Sequence, residues 1–148
     1  MISENKIKHI LNVARRCKEI AKEQGLSESE QNACFIMGFL HDIGYDNLSE
    51  GEEVENHPER SYEMIQDGLK YIDEISNAIR NHGMKYKDLT VFDKILNTAD
   101  LQVNFYGERV SCEERLKDIA SRHGEDTIHY KHAVKQYKAI EDFYKKNK

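Results

Sequence analysis

Apolar residues recur every three or four positions along most of this chain, which predicts helices rather than strands. Ile7, Ile10, Leu11, Ala14, Cys17, Ile20 and Ala21 mark one face of a first helix over about residues 3–24, and Gly25 supplies a stop. His9 lies beside that stripe, so it can face inward. A second helix opens on an S-x-x-E capping box, Ser27 with Glu30, preceded by Leu26 as a staple. It runs through Ala33, Cys34, Met37 and Leu40 to His41-Asp42, with Gly44 as its terminator. Ala33 and Met37 are read as core, and Phe35, Ile36 and Phe39 as core or near-core packing. Residues 46–56 are irregular and acidic, and predict a solvated loop.

His57-Pro58 opens a third helix, since proline suits a first helical turn. Ser61, Met64, Ile65 and Leu69 follow at helical spacing. Ile72, Ile75, Ala78 and Ile79 define a fourth helix over about residues 71–81, closed by His82-Gly83. Ile95, Leu96 and Ala99 define a fifth over about 89–104, with Asp100 on or beside its stripe. A second capping box, Ser111 with Glu114, starts a sixth that ends at Gly124. The seventh covers about 126–146 through Ala133, Tyr137, Ile140, Phe143 and Tyr144. No segment alternates with the period of a strand. The expected fold is all-α, one domain over residues 1–148 with about six to seven helices.

Composition narrows the function classes. At 148 residues the chain has the size of one ordinary domain. Its net charge is −5 with acids and bases interspersed, which argues against a duplex nucleic-acid binder. No apolar run approaches the roughly 18 residues of a membrane span, and the first residues lack the pattern of a signal peptide. The three cysteines, Cys17, Cys34 and Cys112, form no CxxC pair and suit a reducing, cytoplasmic setting.

The candidate chemistry lies in six residues: His9, His41, Asp42, His57, His82 and Asp100. Composition alone predicts roughly half an HD dipeptide in such a chain, so the His41-Asp42 pair is not informative by itself. The placement is. Four of the six fall at helix ends, where side chains can reach a shared pocket, and Asp100 beside an apolar stripe is costly unless paired or metal-bound. Imidazoles and carboxylates without a thiolate suit Fe, Mn, Co, Ni, Zn or Mg rather than a structural zinc site. His129 and His132, three apart on one helix, read as surface residues, and Tyr45 and Tyr86 as packing or exposed rings that could stack on a base.

The ordered set, within HILNVARRCKEIA, GFLHDIGYD, ENHPERSYEMI, AIRNHG and DKILNTADL, resembles the HD superfamily of metal-dependent phosphohydrolases. These stretches cover about residues 9–101, the motif-bearing core, with C-terminal helices over 111–147. His57 and His82 resemble the branch that holds two metals, similar to small bacterial HD proteins that hydrolyse diadenosine tetraphosphate. Ile43-Gly44-Tyr45 departs from the Ala-Lys type of continuation in that group.

The resemblance implies two divalent cations (Fe, Mn, Co, Ni or Mg). It gives His9, His41, Asp42 and Asp100 to the first, and His57 and His82 to the second, with Asp42 bridging. Asp42, His57 and His82 become the catalytic set, with a solvent oxygen as nucleophile. Arg60 and Lys85 are the candidate phosphate contacts, with Arg80 a third. The implied substrate is a small phosphorylated metabolite, in the first place a nucleotide. Two alternatives share the scaffold: a di-iron oxygenase of a small polar metabolite, and a non-catalytic nucleotide-binding module. The last two helices are free to cover the site, complete the core or form a homodimer face.

Overall fold

In a computed structural model that describes residues 2–147, the chain divides after Lys70 into two compact units. Seven α-helices and two 3-10 turns make up the regular structure of the described residues. One isolated antiparallel bridge, Val103 with Arg109, closes the loop before the sixth helix. None of the helices is long and apolar enough to cross a membrane.

The first unit begins with α1 (Glu4–Glu23), whose N-cap Ser3 accepts the Lys6 backbone N–H at 3.2 Å. The Ser27/Glu30 capping box starts α2 (Glu28–Leu40) as expected. Small residues let these helices approach closely. A Cβ built on Gly38 would lie 2.7 Å from the Ala14 Cα, so only glycine fits there. This contact turns the Gly38 face of α2 toward α1. The Ala33 and Met37 stripe, read as core, is therefore exposed, as are Ile36 and Phe39; Phe35 is half-buried. Ile36, Met37 and Leu40 instead line a groove of about 430 Å³ with Pro58, Tyr62 and Ile65 of α3 (His57–Leu69).

Gly44 does not terminate α2, which ends at Leu40 with His41 as its cap. The chain tightens at once into a 3-10 turn, Ile43–Asn47, and a second, Val54–Asn56, lies within the stretch read as a loop. Gly44 is buried because the first turn sits directly on α3. Its N–H donates to Ser61 Oγ at 2.8 Å, and Ser61 Oγ–H donates to the His41 carbonyl at 2.9 Å. A buried serine thus ties the end of α2 to the first turn of α3.

The second unit contains α4 (Ile72–Asn81), α5 (Val91–Leu101), α6 (Cys112–His123) and α7 (Ile128–Lys146). Leu101, Cys112, Ile140 and Tyr144 form its core, with Leu89 and Tyr137 packed against them. Tyr137 and Tyr144 both donate to the Glu113 carboxylate, at 2.9 and 3.0 Å. Burial, and Glu113 beside them, push both phenols above their usual pKa.

Helix α5 is shorter than its pattern suggested. A capping box of Thr90 and Asp93 delays its start, and it stops at Leu101. Its buried face also differs. Asp93, Asn97, Thr98 and Leu101 are buried, whereas Ile95 and Ala99 are exposed. Capping and side-chain hydrogen bonds satisfy Asp93 and Asn97 on that face, while the buried Thr98 hydroxyl has no hydrogen-bond partner among the described residues. Asn97 Oδ1 accepts from Gln136 Nε2 at 3.2 Å and from the Gly83 N–H at 3.1 Å.

Candidate metal centre

Asp42 is the focus of the first unit. Its residue is 4% exposed, and a buried carboxylate is costly unless partners surround it. Here they do. His41 Nε2 lies 3.3 Å and His9 Nε2 3.6 Å from Oδ2, and His57 Nε2 lies 3.1 Å from Oδ1. The two oxygens therefore face different imidazoles.

The local fold explains how each side chain arrives. The close α1–α2 contact at Gly38 brings His9 of α1 to the end of α2. The tight turn after His41 swings Asp42 toward α3, and the Ser61 bonds hold that turn against the helix His57 opens.

The ring nitrogens are sorted by a repeated device. Nδ1 of His41 is 2.6 Å from the Gly38 carbonyl, and Nδ1 of His57 is 2.7 Å from the Val54 carbonyl. His82 in the second unit does the same with the Ile79 carbonyl. A carbonyl can only accept, so Nδ1 carries the proton in each case. Nε2 is left with its lone pair free, the tautomer that a metal-binding imidazole uses.

The donor set fits a divalent cation. One ligand atom each from His9, His41 and Asp42 lies within 4.8 Å of the others. Two atoms bound to one ion at about 2.1 Å stand roughly 3.0–3.4 Å apart, so the His41 and His9 distances to Oδ2 call for little movement. His57 stands on the other oxygen, Oδ1.

Sequence reasoning missed Lys6. Its Nζ donates to Asp42 Oδ2 at 3.2 Å and sits 4.2 Å from the Tyr45 ring centroid. Three residues before His9, it shares that residue's helical face, and this spacing was the available signal. Tyr45 stacks on His57 with ring centroids 4.1 Å apart, so it braces that imidazole. Ser61, whose role depends on a contact with Gly44 across the turn, left no sequence trace.

Arg60 is held by Glu52 at 3.0 Å and Glu63 at 2.8 Å, and these carboxylates occupy the guanidinium read as a phosphate contact. Lys85 faces the buried capping residue Asp93 at 3.8 Å, and Arg80 donates to Asn77. In the second unit, His82 and Asp100 line one cavity. Asp100 is exposed, because α5 turns its 93/97/98 face inward; the desolvation argument made for it from the sequence therefore does not hold.

A helical chain whose second helix is followed by His-Asp, with further imidazoles gathered on that aspartate, offers a set of side chains that could hold a metal ion. The chain belongs to the HD domain family, whose model matches residues 7–123. That family is a superfamily of metal-dependent phosphohydrolase type, and the His-His-Asp cluster is consistent with it. No curated protein and no solved structure matches the chain.

Proposed function

We propose that this protein is a metal-dependent phosphohydrolase that cleaves a phosphate ester or anhydride of a nucleotide or another small phosphorylated metabolite. The observation that carries the reading is the buried Asp42 with different imidazoles on its two oxygens. His9, His41 and Asp42 would hold one divalent cation, and His57 a second through Oδ1. The ligand roles of His82 and Asp100 follow from the family resemblance. Fe, Mn, Co, Ni and Mg all suit such a set.

When bound, a divalent cation polarises phosphoryl oxygens and lowers the pKa of water. The chain's own contribution is positional. Carbonyls on Nδ1 keep each Nε2 aimed, Tyr45 braces His57, and Ser61 fixes the turn that carries Asp42. Lys6 supplies the cation nearest the carboxylate and can move from Asp42 to a substrate oxygen. Cys17, Cys34 and Cys112 are all thiols, in keeping with a cytoplasmic setting.

The test is phosphate release from a panel of nucleotides and phosphate esters, with each of the five metals in turn. Release that vanishes in Asp42→Asn and His41→Ala is the expected result. Silence across the panel, or oxygen uptake with ferrous iron and no phosphate, rejects the reading.

A further inference from the structure

A cavity of about 200 Å³ lies between α1 and α2, within the first unit, and none of the His-Asp cluster lines it. Three of its lining side chains carry sulfur: Cys17 of α1, and Cys34 and Met37 of α2. Ile20, Ala21 and Leu26 supply an apolar wall, and Gln24 is the single polar side chain in the lining. No carboxylate, imidazole or ammonium is among the lining groups.

The helix pairing brings these sulfurs together. Only residues 24–27 separate α1 from α2, so the two helices run antiparallel. Ala14 meets Gly38 where they approach most closely. About one turn away from that contact, Cys17 on α1 comes opposite Cys34 on α2. Cys17 Sγ lies 3.0 Å from the place a Gly38 Cβ would take, and Cys34 stands four residues before Gly38 on the same helical face. Met37 follows Cys34 by three residues, which also places it as a neighbour on that helix. Both cysteines are free thiols and neither is fully buried, so an ion can reach them. Met37, read from the sequence as core, is 61% exposed, which leaves its flexible thioether free to turn toward the two thiols.

We propose that Cys17, Cys34 and Met37 form a binding site for a soft monovalent cation, Cu(I), separate from the His-Asp cluster and independent of the phosphohydrolase reading. Thiolate and thioether sulfur select Cu(I), whereas Mg and Mn need oxygen ligands that this lining does not offer. A structural zinc site would call for a fourth nitrogen or sulfur donor. Each thiol gives its S–H proton to solvent as its sulfur bonds to the ion, and copper stays in the +1 state throughout. The apolar wall disfavours a free thiolate, so the protons leave on binding rather than before it. The bound ion bridges α1 to α2, the same pair that brings His9 to Asp42.

The experiment is an anaerobic titration of Cu(I), supplied as its acetonitrile complex, into the reduced full chain in competition with bicinchoninate. The chain should withdraw one equivalent from the competitor. Cys17→Ser and Cys34→Ser should each weaken binding about a hundredfold, and Met37→Leu about fivefold, since a thioether is the weaker donor. If circular dichroism shows that a serine variant unfolds, alkylation of the parent chain decides in its place. Bound Cu(I) should slow iodoacetamide labelling of Cys17 and Cys34 at least tenfold, read by peptide mass spectrometry, whereas the same amount of Zn²⁺ should not. Failure to take Cu(I) from bicinchoninate, affinity unchanged in any of the three folded variants, labelling indifferent to Cu(I), or Zn²⁺ protecting as well as Cu(I) overturns the proposal.

Discussion

Adding one methyl group at Gly44 should cost this protein both fold stability and part of the proposed metal site. A Cβ there would lie 2.2 Å from the His57 carbonyl oxygen, 2.4 Å from the Ser61 nitrogen and 2.7 Å from Ser61 Oγ. Two of these are backbone atoms of the first turn of α3 and cannot rotate away. Gly44 does not sit at positive φ, so the obstacle is space alone. Restoring ordinary contact moves the turn and the helix apart by about 1 Å. That breaks the Gly44–Ser61 and Ser61–His41 hydrogen bonds, at about 1 kcal/mol each, and adds overpacking strain of about 1–3 kcal/mol. The expected loss for Gly44→Ala is about 3–5 kcal/mol, a large part of a typical total of about 5–15 kcal/mol.

The same displacement opens the 3.1 Å approach of His57 to Asp42, so metal content should fall with stability. Gly68→Ala in α3 is the control, because nothing lies within 4 Å of its Cβ. It should be neutral or stabilising by about 0.5 kcal/mol. Urea unfolding followed by circular dichroism, with elemental analysis of the same preparations, reads both effects. A Gly44→Ala protein within about 0.5 kcal/mol of the parent and with unchanged metal would refute the packing of turn on helix described here.

Further outcomes follow from the site. Metal at a hundredfold excess over its Kd should raise the unfolding free energy by about 2.7 kcal/mol, an effect that Asp42→Asn abolishes and calorimetric melting can read. Lys6→Met should lower the stability of the metal-free chain by about 1–3 kcal/mol, since a buried carboxylate loses its ammonium partner. It should also tighten metal binding about threefold to tenfold by removing a competitor for Oδ2; weaker binding in a chelator competition would contradict this. Acid should destabilise the fold through five carboxylates held below their usual pKa, Glu4 by its bond to Lys8 among them. The backbone N–H groups of Ser27, Ser49 and Ser111 act chiefly on Glu30, Glu52 and Glu114, and Arg122 on Asp118. The unfolded chain takes up these protons first, so the stabilisation is complete above the ordinary carboxylate range near pH 4 and is lost as pH falls through and below it. A urea midpoint that stays flat from about pH 5 to 3 would count against this.

The number of helices and most of their starts were legible in one dimension, because capping boxes and three-to-four spacing are local. Ser27/Glu30 and Ser111/Glu114 show it. So were the His-Asp pair at a helix end and the histidine that opens α3, since helix termini are written in neighbouring residues. Orientation was not legible. The helical stripe through Ala33 and Met37 fits a core, but the glycine contact at Gly38 turns another face of α2 toward α1. Likewise the apolar stripe of α5 lost to a polar face, because Asn97 finds Gln136 and Gly83 at distances in sequence that periodicity does not see. Which nitrogen each histidine offers, which oxygen of Asp42 each one faces, and that Lys6 rather than Arg60 stands beside Asp42 were decided only in three dimensions. The spacing of a helix is set by bonds between near neighbours. The face it buries, and the partners of a buried charge, are set by what the rest of the fold brings against it.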